Sequence, residues 1–152
     1  MKINIITVGK IKEDYWNMAI NEYAKRLSKY VNLNFIEVKD EPIKDGVDCK
    51  KIEGERILTH LPSGYNIVLA ILGKELDSIE LSKKINDCFT YNSSTINFII
   101  GGSLGLSDEV NKIADFKLSF SKMTYPHQMM KVILLEQIYR SFKIINNETY
   151  HK

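Results

Sequence analysis

The 152-residue sequence is poor in most of the material that marks specialised protein classes. Its two cysteines, Cys49 and Cys88, stand far apart, which leaves no disulfide framework and no paired-cysteine metal or redox motif. Both are expected as free thiols in a reducing cytosol. Three histidines, His60, His127 and His151, are scattered and form no ligand set with the cysteines, so no metal is expected. No run of about 18 uncharged apolar residues exists, and the apolar start Met1–Val8 lacks the length and cleavage site of a signal peptide. There is no repeat, linker or low-complexity tract. A formal net charge of +2 does not by itself announce a nucleic-acid binder. A soluble cytoplasmic protein is expected.

What is present is ordinary globular material. Hydrophobic residues make up 44% and charged residues 26% of the chain, a composition that collapses around a core. A chain of about 150 residues buries roughly 68–70% of its unfolded surface, enough for one domain over residues 1–152. The charge is uneven. Residues 112–152 carry seven Lys/Arg against three Asp/Glu, and residues 1–111 carry fourteen against sixteen. A basic last quarter on a near-neutral body hints at a polyanionic partner.

Strand and helix patterns alternate along the chain. Lys2–Val8 reads as a strand closed by Gly9, and Glu13–Ser28 as a helix with Trp16, Ile20, Tyr23 and Leu27 at helical spacing. Leu33–Val38 is a second strand, Lys39–Gly46 a polar loop, and Asp48–Leu61 a charged, exposed helix ending before Pro62. Asn66–Leu72 is an apolar strand stopped by Gly73. Ser78–Tyr91 is a helix capped by Ser78, and Thr95–Ile100 a strand stopped by Gly101-Gly102. Ser107–Ala114 is a short helix, Phe116–Phe120 a strand, and Pro126–Ile145 a long helix with proline at its first position.

That order predicts an α/β fold with a mostly parallel sheet and helices on both faces. The apolar runs Ile67–Leu72 and Ile96–Ile100 are expected to be buried on both sides. Ligands then bind beyond the carboxyl ends of strands. Three loops leave such ends: Gly73–Glu75, Gly101–Gly105 and Ser121–His127.

Familiar nucleotide loops do not fit these positions. Val68 stands where a phosphate-binding loop ending at Gly73-Lys74 needs its first glycine, and Glu75 replaces the required hydroxyl. A dinucleotide fingerprint would need more than Gly9 after the first strand. Gly101-Gly102-Ser103-Leu104-Gly105 does satisfy G-x-S-x-G, with Asp115 and His127 following in hydrolase order. Against a Ser103 nucleophile, that elbow should lead directly into a helix, whereas Ser107-Asp108 begins a separate one. His127 also falls in a helix's first turn. Glycines that merely turn the chain would explain one glycine there, not three.

The last helix has no clean polar face. Met129, Met130, Val132, Ile133, Leu134, Leu135, Ile138, Tyr139, Phe142, Ile144 and Ile145 surround the scattered Lys131, Glu136, Gln137, Arg140 and Lys143. A helix apolar all round is buried all round. One side is expected to cover the sheet and the other a second subunit, giving a homodimer.

Five segments together carry a resemblance. They are Val8-Gly9-Lys10; Ile99-Ile100-Gly101-Gly102-Ser103-Leu104-Gly105; Leu118-Ser119-Phe120-Ser121-Lys122-Met123-Thr124-Tyr125-Pro126-His127-Gln128-Met129-Met130; and Glu136-Gln137-Ile138-Tyr139-Arg140 with the terminal Tyr150-His151-Lys152. On these, and at matching length, the sequence resembles the ribosomal large subunit methyltransferase H family of the SPOUT superfamily, the knotted α/β methyltransferases. A short stretch after Pro42 is the main local departure.

The resemblance implies a trefoil knot in the C-terminal third, which general connection rules disfavour. It implies S-adenosyl-L-methionine as cofactor, held at Leu69, Gly101, Phe120, Ser121, Lys122, Met123, Thr124 and Tyr125. The glycine pair would let backbone approach the cofactor closely, with Leu69, Leu104 and Met123 as apolar walls. The implied reaction is methylation of N3 of a pseudouridine in 23S rRNA, in the large subunit or the assembled ribosome. The N3 proton must leave, so a base or a stabilising cation is required. His151, Tyr150 and Arg140 are the candidates, with Glu136 beside them. A serine hydrolase using Ser103 and a non-catalytic dimeric RNA-binding module are the alternatives from other classes.

Overall fold

The structure is a computed structural model that describes every residue from Met1 to Lys152. Its elements in order are β1 (Lys2–Val8), α1 (Asp14–Leu27), β2 (Asn32–Val38), α2 (Cys49–His60), β3 (Tyr65–Glu75) and α3 (Ser78–Asp87), which runs into a π turn at Cys88–Asn92. They continue with β4 (Thr95–Ile100), α4 (Asp108–Lys112), β5 (Phe116–Ser119) and α5 (His127–Ile145). One five-stranded sheet has the order β2-β1-β4-β3-β5, and every pair is parallel. The α/β reading of the sequence is therefore correct, and the sheet is wholly parallel.

Side chains alternate across the sheet, and each face has its own core. Ile3, Ile5, Phe98 and Ile100 meet α1, α3 and α5, while Ile6, Val8, Val68 and Ile99 meet α2 and α4. Register is also fixed by polar groups. Asn34, Asn4, Asn97 and Asn66 stand opposite one another on four neighbouring strands. Asn34 donates to Asn4 at 3.3 Å, Asn4 to Asn97 at 2.7 Å, and Asn97 to Asn66 at 2.9 Å. A one-residue slip of any strand would break this ladder and turn that strand's side chains to the opposite face.

Several local expectations need correction. Gly73 does not stop β3. The strand leaves β4 after Val68, and Leu69 and Lys74 both oppose Leu118 of β5, so Ala70–Gly73 bulges between them. Ile71 is thereby exposed and Leu72 is 98% exposed, not buried on both sides. A Cβ on Gly73 would stand 2.8 Å from backbone atoms of Lys117 and Leu118, so glycine is what lets the two strands re-pair. The cap of α3 is Asp77, not Ser78: its carboxylate accepts from Glu80 N while Glu80 accepts from Asp77 N. Pro126 occupies the cap position of α5, one residue before the helix. Finally, α2 is not simply exposed. Cys49, Glu53, Gly54 and Ile57 form a buried stripe, and Gly54 lets the helix close on Ser107, whose Oγ lies 2.2 Å from where a Cβ would be.

Candidate active site

The helices that follow β1 and β4 cover opposite faces of the sheet, so a crevice opens between the carboxyl ends of these adjacent strands, where open α/β sheets bind ligands. Two cavities lie there side by side. The first, about 550 Å³, falls within the range of small-molecule sites. Its floor is the backbone from Gly101 to Ser103, and its walls come from Leu69, Ala70 and Ile71 of β3 and from the segment Leu118–His127. Seven expected cofactor positions line it: Leu69, Gly101, Phe120, Ser121, Met123, Thr124 and Tyr125. Lys122 and Leu104 do not. Both side chains are exposed to solvent outside the cavity.

The loop that walls this cavity is held by its own hydroxyls. Ser119 Oγ donates to Ile71 O at 2.9 Å, and Ser121 Oγ accepts from Met123 N at 2.9 Å. These side chains are committed to shaping the loop. Gly101 also has a structural role within its own loop. A Cβ on Gly101 would lie 2.8 Å from the carbonyl carbon of Gly105, so the loop's own closure already requires glycine there. Gly105 takes the left-handed conformation, φ +82°, that completes the turn.

A second, polar groove of about 680 Å³ adjoins the first and shares Gly102, Ser103 and His127 with it. It is built from the ends of β1 and β2 and from α2, with Glu37, Asp40 and Glu53 among its carboxylates. Behind it, buried Lys131 of α5 bonds Glu37 at 3.3 Å and sits 4.7 Å from the centre of the Phe35 ring. Burial pushes the Lys131 pKa down, and Glu37 offsets part of that. No motif in the sequence marked this groove. Its only signal was Val8-Gly9-Lys10, where Gly9 takes φ +80° at the end of β1.

Arg140, Tyr150 and His151 come together elsewhere. Arg140 Nη2 bonds Glu136 Oε1 at 2.6 Å, Tyr150 Oη donates to the same oxygen at 3.2 Å, and His151 Nδ1 lies 3.4 Å from Arg140 Nη1. The Arg140 guanidinium lies 4.7 Å from the Tyr150 ring centre. The hydrogen bond that Arg140 donates to Glu136 raises the Arg140 pKa, and burial raises that of Tyr150. None of these residues lines either cavity. Arg140 is thirteen residues along α5 from His127, roughly 20 Å at about 1.5 Å per residue.

The hydrolase constellation does not form. Asp115 precedes β5 at the amino ends of the strands, where its Oδ2 accepts from Asn66 N at 2.7 Å, a strand's length from Ser103 and His127. No three His, Cys, Asp or Glu side chains are grouped to hold a metal ion. Both cysteines are buried and unpaired, and burial raises the Cys88 thiol. No helix is long and apolar enough to cross a membrane.

Comparison with known proteins gives a consistent result. Residues 1–151 match a family described as predicted SPOUT methyltransferases. A Methanococcus maripaludis protein is 60% identical over the whole of both chains. Ribosomal RNA large subunit methyltransferase H of Clostridioides difficile is 52% identical, again over both full lengths. Among solved structures, a probable methylase family protein from Haemophilus influenzae superposes with a TM-score of 0.57 at 13% identity, over 99% of this chain and 70% of that one. The tRNA (m1G37) methyltransferase of Aquifex aeolicus gives 0.55 at 12% identity, over 92% and 70%. These two distant likenesses establish a shared fold.

Proposed function

The chain belongs to the ribosomal RNA large subunit methyltransferase H family of SPOUT methyltransferases, and from that membership we propose that it methylates N3 of a pseudouridine in 23S rRNA of the large subunit or assembled ribosome. One observation supports this reading most: seven positions implied by the family resemblance line a single cavity at the carboxyl ends of the strands. S-adenosyl-L-methionine fits that cavity's size and chemistry, and when bound it supplies an electrophilic methyl group on a sulfonium. Main-chain N–H and C=O groups of the Gly101 and Phe120–Ser121 segments hold the cofactor. The apolar walls from Leu69, Ile71 and Leu106 keep water away, and alignment supplies much of the rate.

The same reading includes a trefoil knot in the C-terminal third, which membership of the SPOUT family implies. It also includes a homodimer acting in the cytoplasm. Within one chain, α5 buries Leu134, Leu135, Ile138, Tyr139 and Phe142 but leaves Met129 exposed and Ile133 and Ile144 half-exposed. That open apolar side is the surface for a second copy. A dimer would bring Arg140, Tyr150 and His151 of one subunit to the cavity of the other, where they would hold the target nucleotide. Mass spectrometry of 23S rRNA from a strain lacking the gene tests the reading. One pseudouridine should lose a methyl group and regain it when the gene returns; unchanged methylation would overturn the proposal.

A further inference from the structure

Glu53 is the buried acid that the cofactor cavity does not use. It is 7% exposed on the inward stripe of α2. Its Oε1 accepts from Glu41 N at 2.9 Å. The strap carrying Glu41 is in turn held by Arg56, which donates to Lys39 O at 2.9 Å and to Glu41 Oε2 at 2.6 Å. One oxygen is therefore fixed. The other, Oε2, has no hydrogen-bond partner in the chain and stands 3.0 Å from the point a Cβ on Gly102 would occupy. Gly102 is a residue the two cavities share. The missing Cβ leaves this oxygen open at the seam between them.

Oε2 is reached from the groove that Glu53 lines, so it is placed to accept from an N–H or O–H donor of a bound ligand. The charge distribution selects which kind. Glu37, Asp40 and Glu53 make the groove acidic, which repels phosphate, while the exposed Lys10, Lys12 and Lys39 stand among its lining. A nucleotide suits that arrangement with its ring in the groove and its phosphates on the lysines.

We infer that the polar groove is the acceptor subsite and that Glu53 Oε2 receives the proton of the target ring's N–H. The inference rests on the rRNA methyltransferase reading above. As the ring nitrogen's electron pair forms its bond to the methyl carbon, the carbon–sulfur bond of the sulfonium donor breaks and the donor leaves as a neutral thioether. The N–H proton passes to Glu53 and from there to water. Glu53 is thereby a catalytic residue supplied by α2, an element outside the three loops that hold the cofactor.

The test uses large ribosomal subunits from a strain lacking the gene, with methyl-labelled S-adenosyl-L-methionine, in single turnover. Glu53→Gln keeps the volume and the acceptor for Glu41 N. Its cofactor Kd by calorimetry and its thermal midpoint should match wild type, while the transfer rate falls by about 100-fold or more. A full transfer rate in Glu53→Gln would overturn the inference. So would a cofactor affinity weakened in step with the rate, since that would make Glu53 a cofactor ligand. If the glutamine variant loses folded protein, Glu53→Asp decides the matter: retaining the carboxylate, it must transfer faster per folded molecule. A wild-type enzyme that methylates nothing would refute the broader function instead, so the two failures are distinguishable.

Discussion

The two ends of α5 are built on opposite principles. At the amino end, Pro126, His127 and Met130 border a cavity whose other walls are glycine backbone and apolar side chains. At the carboxyl end, nearly every polar group already has a partner within the chain. Glu136, Arg140, Tyr150 and His151 join one another, while Tyr30, Lys143 and Glu148 form a second knot of hydrogen bonds beside them. Aromatic rings fill the space between: Tyr30 stacks on Phe142 at 5.6 Å, and Tyr150 meets Tyr139 edge-on at 5.0 Å. An end with unused backbone and open volume is organised to receive a ligand. An end that satisfies itself is organised to hold a shape, so its side chains can act on a substrate only as a preassembled unit carried to it.

Deleting Tyr150-His151-Lys152 tests that separation most severely. The expected outcome is S-adenosyl-L-methionine affinity near wild type with methyl transfer down by about 1,000-fold. Mixing the truncated subunit with a Gly101→Val subunit should restore one working site per mixed dimer, because each parent lacks a different half. Wild-type transfer by the truncated enzyme would leave the carboxyl end with a structural role only.

The next effect is on stability. Phe142 is 2% exposed and packs on Tyr30 and Phe89. Phe142→Ala should cost about 3–5 kcal/mol, lowering Tm by about 6–20 °C for a chain of this size. Met130→Ala, at the half-buried amino end, should cost clearly less. Equal losses in thermal melts would mean that the cavity end is packed as tightly as the other, and the contrast would fail. Gly101→Val comes third. Its branched side chain must displace the Gly105 backbone 2.8 Å away, so calorimetry should show cofactor binding weakened by about 100-fold. Unchanged affinity would show that the loop's shape is not what holds the ligand.

The sequence was legible where local chemistry and tertiary role agree. Apolar runs ended by glycine marked β1, β4 and the loop after β4, and of the eight cofactor positions that the family resemblance implies, all but Lys122 line one cavity. It was illegible where a residue's role depends on neighbours distant in the chain. Asn4 and Asn97 look like defects in apolar strands, yet they bond each other across 93 positions in the buried ladder. Glu53 looks like one more charge on a charged helix, because nothing local shows that its face turns inward. The exposure of Leu72 follows from a bulge set by the pairing of β3 with β5, which no periodicity within β3 records.

The smallest expected effect concerns acid. Glu148 accepts from Lys143 and from Tyr30 Oη at 2.8 Å, with Lys29 at 3.6 Å. These contacts, the Lys143 hydrogen bond foremost and Tyr30 next, pull its pKa from 4.5 to about 2. The folded pKa lies below the unfolded one, so the unfolded chain binds the proton first as acid is added. The stabilisation is therefore complete above pH 4.5 and is lost as pH falls toward about 2. Glu148→Gln removes the titration, so wild-type Tm should decline more steeply than the variant's across that window, and the two curves should draw together near its acid end. The group is half-exposed, so the difference should be small and should shrink at about 1 M salt. Parallel curves would mean that the bonds around Glu148 are exchanged freely with water. The carboxyl end would then owe its shape to the rings of Tyr30, Tyr139 and Phe142 alone, and the polar network would be available to a substrate without first being opened.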